Sequence, residues 1–285
     1  MIVNLRTAPR LALLGSVALT VVVVLAPDLV CRVPAARAEA FLPSTWYRDS
    51  PDGGRYALGT DYLGRPFLPV LVHATAQTMR FAALGTFSVL VGCLVIGTVH
   101  GSTRSRGLEA LVAAGNLGVM AVPEAAVLIT LATSWPRTSH PLYVNVSMLA
   151  VLVTFAVPPG SRLIAERVRA LNRTGFVAAS HACGATYGHT LRHEIWPHLV
   201  EDVAWIIAWT LPRFLAIEVG MAYLGIECRD FEGLGRLLAK SFSNMSDGTA
   251  LVQMLATIAV IAWVALVPQA LLGLVGIRSV KGAVR

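Results

Sequence analysis

Apolar residues along this chain gather into six long runs, at about 11–31, 79–99, 108–134, 142–158, 199–225 and 250–275. A helix needs roughly 20 residues to cross the hydrocarbon of a bilayer, and most of the runs are near that length. Apolar and polar positions do not alternate within them, so helices are predicted and a transmembrane β-barrel is not. Gly85, Gly92, Gly97, Pro123, Pro212 and Pro268 lie inside the runs, as such residues commonly do in membrane helices. Gly85 and Ser88 are candidates for a close approach between neighbouring helices. The fourth run is short and stops at Pro158-Pro159. The pattern predicts an all-α integral membrane protein with six transmembrane helices.

Composition agrees. Of the 285 residues, 55% are hydrophobic and only 14% charged, where soluble domains carry about 25% charged residues. Charge placement then sets orientation. With both termini in the cytoplasm, the inner segments 1–10, 100–108, 160–198 and 277–285 hold twelve Lys and Arg. The longer outer segments hold nine, balanced by eight acids. The positive-inside rule therefore favours cytoplasmic N- and C-termini. The net charge of +7 fits attraction to an anionic inner leaflet. No basic patch is interleaved with aromatic residues, so no nucleic-acid partner is expected. Arg6, Arg10 and the Ala36-Arg37-Ala38 stretch resemble a secretory signal. The apolar stretch is longer than a usual signal core, so a retained first span is the expectation.

Several chemistries are missing. The two lysines, Lys240 and Lys281, do not follow glycine, so the chain holds no phosphate-binding P-loop. There is no HExxH, and Ser161 sits in Pro-Pro-Gly-Ser-Arg rather than in a nucleophile elbow. Cys31, Cys93, Cys183 and Cys228 form no CxxC pair, so neither a disulfide framework nor a zinc site is indicated. His189, His193 and His198 share a helix face only in part, and solvated or partner-facing histidine is the default there. No catalytic residue, metal or cofactor is expected. Of the charges inside the runs, Glu124, Arg213 and Glu218 stand out. Such groups are costly in a bilayer, and they line a cavity or pair up.

Four segments carry a further pattern. The first is Gly59-Thr60-Asp61-Tyr62-Leu63-Gly64-Arg65. It reads as a turn in which Asp61 bonds backbone N–H groups two residues on and the glycines supply positive φ. Pro66 and Pro69 follow it. The second runs from Arg162-Leu163 through Val168 and Leu171 to Phe176-Val177. Leu163, Arg167 and Leu171 recur every four residues, so this segment extends the fourth span as a helix. The third is Ala178-Ala179-Ser180, His181-Ala182-Cys183, then Gly184, closing at Ile195-Trp196-Pro197. Small residues let such a helix lie flat on a partner, and Gly184 lets the chain turn back. Pro197 can open the next span. The fourth is Glu218 with Tyr223-Leu224-Gly225.

Together these segments resemble the inner-membrane permease subunits of peptide- and nickel-type ATP-binding-cassette (ABC) importers. The likeness is to the subunit with an extra N-terminal span and a periplasmic loop, and it covers roughly residues 56 to 240. The resemblance implies a type I importer permease fold. Residues 1–78 would form the first span and the periplasmic loop. Residues 79–277 would form a five-span core with a cytoplasmic coupling loop at 160–198, and 278–285 a cytoplasmic tail. It implies that Ala178, Ala179, Ser180, His181, Gly184, Ile195 and Pro197 couple to an ATPase. It also implies that Gly59, Thr60, Asp61, Gly64 and Arg65 form a periplasmic motif. Glu124, Arg213 and Glu218 would line the translocation path or pair within the membrane. The implied partners are a second homologous permease, two ABC ATPase subunits, an extracytoplasmic substrate-binding protein and the lipid bilayer.

The chain departs from the pattern in three places. Ala178 replaces the usual Glu, which removes an ion pair with the ATPase. The outer stretch Cys228 to Gly235 is altered, and Gly276 to Val280 lacks the usual ending. The expected function is a permease subunit of an ATP-driven importer for peptides, nickel or metal chelates, without enzymatic activity of its own. The alternative is an ion-gradient-driven secondary transporter using Glu124 and Glu218.

Overall fold

The computed structural model describes residues 8–31, 40, 56–103, 105–134, 140–226 and 231–275. The Ala36-Arg37-Ala38 stretch, Cys228 and the tail beyond 275 lie outside the described residues. All regular elements among the described residues are helical, with two isolated bridges around the Gly59–Pro66 turn.

In chain order they are α1 (Ala8–Leu25), α2 (Pro27–Val30), α3 (Phe67–Ser102), α4 (Arg106–Ala121), α5 (Glu124–Ser134), α6 (Pro141–Asn172), α7 (Gly175–Ala182) and α8 (Tyr187–Thr190). A π turn (Leu191–Ile195) and a 3-10 turn (Trp196–Leu199) lead into α9 (Val200–Tyr223). Then come α10 (Leu234–Ser243) and α11 (Gly248–Val275).

Four helical stretches are long and apolar enough to cross a membrane: Phe67–Ser102, Leu142–Asn172, Tyr187–Tyr223 and Gly248–Gln269. The pair Gly107–Ala121 and Glu124–Ser134, bent by 70°, makes a fifth if counted as one span. By hydropathy alone that pair is an unbroken run. Pro123 stops it, because proline disfavours a helical conformation in the residue before it, and Val122 is extended at ψ 131. The first run forms α1, with its described apolar portion at Ser16–Leu25.

Prolines elsewhere behave otherwise. α6 passes unbroken through Pro158 and Pro159, so the fourth span does not stop where the sequence pattern places its end. Freed carbonyls in a membrane helix are re-satisfied by neighbours. Pro158 and Pro159 lack the N–H groups that the Thr154 and Phe155 carbonyls would otherwise accept, and nearby the Cys93 thiol reaches the Val157 carbonyl at 3.5 Å. Pro66 and Pro69 do not prevent a helix either. α3 begins at Phe67, well before the expected residue 79, and Pro69 falls in the first turn, where no helical N–H is required. Pro197 lies inside the continuous run Tyr187–Tyr223. The widened π turn and tightened 3-10 turn around it accommodate a residue that lacks an N–H and crowds the carbonyl four residues back.

The described residues form two compact units, those up to Ala83 with Pro212–Val275, and those within Leu84–Leu211. In the first, Phe67, Val70, Leu71 and Ala74 form one buried stripe of α3, at the spacing of a single helix face. They pack with Leu234 and Leu237 of α10, and Val219, Ala256, Val260 and Ile261 close the cluster. The hydropathy pattern leaves 226–248 as loop, and α10 corrects that. Leu234 and Leu237 show the missed signal, an apolar pair at i and i+3.

In the second unit, glycines set the approach of α3 to α6. A Cβ on Gly92 would stand 2.8 Å from Val157 Cγ2, and one on Gly97 2.6 Å from Ile164 Cβ. One on Gly101 would stand 2.8 Å from the Ala165 carbonyl oxygen. Close packing between these helices therefore falls at Gly92, Gly97 and Gly101. Small residues of this kind let membrane helices approach backbone to backbone. On α6 the buried stripe is Ile164, Val168 and Leu171. Leu163 is exposed, so the Leu163–Arg167–Leu171 spacing lies one residue off the packed face. Opposite the glycines, Leu84, Phe87, Val91, Val95 and Val99 are exposed along α3, an apolar stripe that suits lipid.

Candidate functional site

Two places bring the singled-out residues together. The first lies in the first unit, around the Gly59–Arg65 turn. Gly59 (φ 75) and Gly64 (φ 73) adopt the left-handed conformation that the turn requires. Asp61 is buried and accepts from the backbone N–H groups of Leu63 and Arg65, each at 2.8 Å. Its other oxygen takes Arg65 Nε at 2.9 Å and Nη2 at 2.8 Å. Arg65 Nη1 reaches Glu232 at 2.8 Å. Burial of the guanidinium opposes its charge, but the hydrogen bonds to Glu232 and Asp61 outweigh that and raise the Arg65 pKa. From α11, the buried Gln253 amide donates to the carbonyls of Leu58 and Thr60 at 3.2 and 2.8 Å. The turn is thus fastened to α11 and to the segment before α10.

These contacts predict unequal losses. Asp61→Ala strips two backbone donors and a cation of their acceptor, and breaking a buried pair costs about 3 kcal/mol. Glu232→Gln alters a carboxylate that is 38% exposed, for which a loss below about 1 kcal/mol is expected. Thermal unfolding of the two variants in detergent checks this. Equal shifts would remove Asp61 as the anchor.

Glu218 sits beneath the start of α10. It is buried, and its carboxylate accepts from the Thr78 hydroxyl at 3.3 Å. That hydroxyl in turn accepts the Leu234 N–H at 2.9 Å, taking up an orphan donor of the helix start. A Cβ on Gly233 would collide with Glu218 Oε1, so the carboxylate lies against the positive end of α10. The Gln77 amide oxygen accepts the Glu232 N–H at 2.8 Å. Glu218 therefore ties α3, α9 and α10 together. Arg213 is half-buried on α9, and Glu124 is half-buried at the start of α5 in the other unit. Seven residues beyond Glu218, Gly225 (φ 76) ends α9. Ile226 N–H bonds the Met221 carbonyl at 2.9 Å and Gly225 N–H bonds that of Ala222 at 3.0 Å. This is a Schellman cap, which needs glycine at the left-handed position.

The second place lies in the second unit. After a two-residue link, α7 carries Ala178, Ala179, Ser180 and His181. Val177 is buried and anchors the helix, whereas Ala178, Ala179, His181, Ala182 and Cys183 are exposed or half-exposed. Gly184 (φ 85) closes it with the same Schellman pattern. Here Ala185 N–H bonds the Ser180 carbonyl at 3.1 Å, and Gly184 N–H bonds that of His181 at 3.0 Å. Several contacts brace the loop. Tyr187 stacks on the His181 ring at 6.2 Å and shares a hydrogen bond with Ser102 at the end of α3. Ser180 and the buried Thr190 hydroxyl meet at 3.3 Å. Ile195 is wholly buried and Pro197 is exposed, as is Trp196 at 50%. Ile195 therefore acts as an internal anchor, while the small residues of α7 face outward. Arg169 reaches Glu109 at 2.9 Å and Arg167 reaches Asp202 at 3.4 Å, fixing the end of α6 above the loop.

Over 170 residues, 60% of this chain, it is 24% identical to the oligopeptide transport system permease protein OppC of Lactococcus lactis subsp. lactis (strain IL1403). OppC of Lactococcus lactis subsp. cremoris (strain SK11) matches to the same extent. Against OppC of Bacillus subtilis (strain 168), identity is 24% over 201 residues, 70% of this chain. The chain is similar to oligopeptide transport permeases. These relatives bear out the resemblance to peptide-transport permeases read from the motifs, and with the apolar helices of the described residues they support a multi-pass place in the membrane. The matched segments take in 56% of the Lactococcus proteins and 61% of the Bacillus protein, so the chain spans somewhat over half the length of the curated relatives it matches. No family model matches the chain.

Proposed function

We propose that this chain is one permease subunit of an ATP-driven ABC importer that moves oligopeptides. It pairs with a second homologous permease, and the path runs between the two. Two ATPase subunits dock on the Ala178–Pro197 loops on the cytoplasmic side, and an extracytoplasmic binding protein delivers the substrate. The subunit does no covalent chemistry. Nucleotide-driven closure of the ATPases pulls on the loops and switches access across the membrane, a rigid-body transition between two states.

The observation that carries this reading is α7, a short helix with small residues outward, stopped by a Schellman glycine and braced from behind by Tyr187, Ser180 and Thr190. Such a helix can bear a load without deforming. The oligopeptide class follows the relatives, whose names all specify it. The placement of Glu218 against the α10 start supports a structural carboxylate rather than an ion carrier, and so favours the importer over the ion-gradient reading.

The test is recovery of partners from native membranes in mild detergent. Wild-type chain is expected to bring down ATPases with nucleotide-binding motifs and a second permease. Ala179→Trp leaves the subunit folded, because Ala179 is exposed. It should cut ATPase recovery roughly tenfold, the effect of losing about 1.4 kcal/mol of affinity. Undiminished recovery with Ala179→Trp would move the docking site elsewhere.

A further inference from the structure

Between the docking helix and α9, helix α8 and the π turn place two histidines four residues apart. The rings of His189 and His193 stack with centroids 4.2 Å apart and planes 23° from parallel. Both residues are exposed, so the pair fills no core. His193 Nδ1 lies 3.1 Å from the His189 carbonyl oxygen. A donor at Nδ1 fixes the tautomer and leaves the lone pair on Nε2. The same backbone hydrogen bond orients metal-ligating histidines generally. The His189 ring makes no hydrogen bond among the described residues, so its nitrogens are available.

We infer that His189 and His193 form a two-imidazole chelate for a borderline divalent transition-metal ion, Cu²⁺ or Zn²⁺. Metal–nitrogen bonds of about 2.0–2.1 Å put two imidazole nitrogens on one ion roughly 3 Å apart. From the stack, with centroids 4.2 Å apart, both rings must turn so that the ion lies in the plane of each, which the exposure of both side chains permits. His198 does not join them. Its ring packs on Phe176 at 5.5 Å. No third His, Cys, Asp or Glu completes a set of three among the described residues, so water fills the remaining positions and the ion exchanges readily. Of the charged neighbours, Arg192 is exposed and opposes a cation, while the half-buried Glu194 offsets it. The site does not depend on the transport reading, and it is measured on the isolated chain.

The experiment is titration of the purified, metal-stripped chain in detergent with CuCl₂ and with ZnCl₂, using protein without a polyhistidine tag. Calorimetry gives stoichiometry, and electron paramagnetic resonance reports nitrogen ligands on Cu²⁺. One Cu²⁺ per chain is expected, bound more tightly than Zn²⁺, with nitrogen coupling in the spectrum. His189→Gln and His193→Gln should each weaken binding about tenfold or more, and His198→Gln should leave it unchanged. Circular dichroism confirms that the variants fold, as the exposure of both rings leads one to expect. Binding by the double variant that equals wild type would overturn the assignment. So would the lack of a stoichiometric site in wild type, or an equal loss in His198→Gln.

Discussion

Replacing Gly97 with leucine is expected to leave no monodisperse protein in detergent. A Cβ at that position would stand 2.6 Å from Ile164 Cβ and 2.8 Å from the Ser161 carbonyl oxygen. The Ser161 oxygen belongs to backbone, so no rotamer change clears it. The helices cannot simply part either, since Gly92 and Gly101 lie in the same close-packed interface on both sides, where an added Cβ would also come within 2.8 Å of α6. Overpacking ordinarily costs about 1–3 kcal/mol and occasionally more. A clash against fixed backbone, relieved only by opening the packing at both flanking glycines, belongs at the upper end. Gly115→Ala is the matched control. Nothing lies within 4 Å of a Cβ there, and replacing an exposed helical glycine should gain roughly 0.5–1 kcal/mol. Size-exclusion profiles after graded heating read both. Gly97→Leu with wild-type heat resistance would show that α3 and α6 do not touch along this stripe.

On the proposed importer function, replacing Gly184 with valine is expected to abolish transport by the reconstituted assembly while leaving the subunit in the membrane. Nothing crowds a Cβ at Gly184, so the whole effect comes from φ of 85. A left-handed residue other than glycine costs about 1–2 kcal/mol, and a β-branched one sits at the unfavourable end. The strain is relieved by unwinding the α7 cap, which re-aims the helix that the proposed function docks on the ATPase. Gly184→Asn should retain most activity, because asparagine tolerates this conformation. Gly188→Ala should behave as wild type, since that glycine is helical with open space around it. Peptide uptake in proteoliposomes separates the three. Uptake by Gly184→Val at the wild-type rate would detach the Schellman turn from coupling.

Much of this was legible in the sequence because local chemistry governs it. The Gly59–Arg65 turn was readable since Asp61 and two glycines interact within seven residues of chain. Gly184 was readable as a turn point for the same reason, and the relatives bear out the resemblance. α10 was not legible, because its one apolar face is short and lies between polar residues. Helix breaks were misjudged where proline was concerned. Pro123 bends its run by 70°, whereas Pro158 and Pro159 do not end theirs, and no local rule separates these cases.

The sequence by itself determined that the chain is helical and membrane-embedded, where its turns fall, and which proteins it resembles. Hydropathy and turn chemistry act over a few residues and need no partner. Only the tertiary structure decided which glycines bring helices together, that Glu218 lies against the start of α10, and that Ile195 faces inward while Ala178 and Ala179 face out. It also decided that Arg65 is shared between Asp61 and Glu232. Each of these depends on groups brought together from distant parts of the chain, 167 positions apart for Arg65 and Glu232. Packing sets such pairings, because a buried polar group must find its partner wherever the fold supplies one.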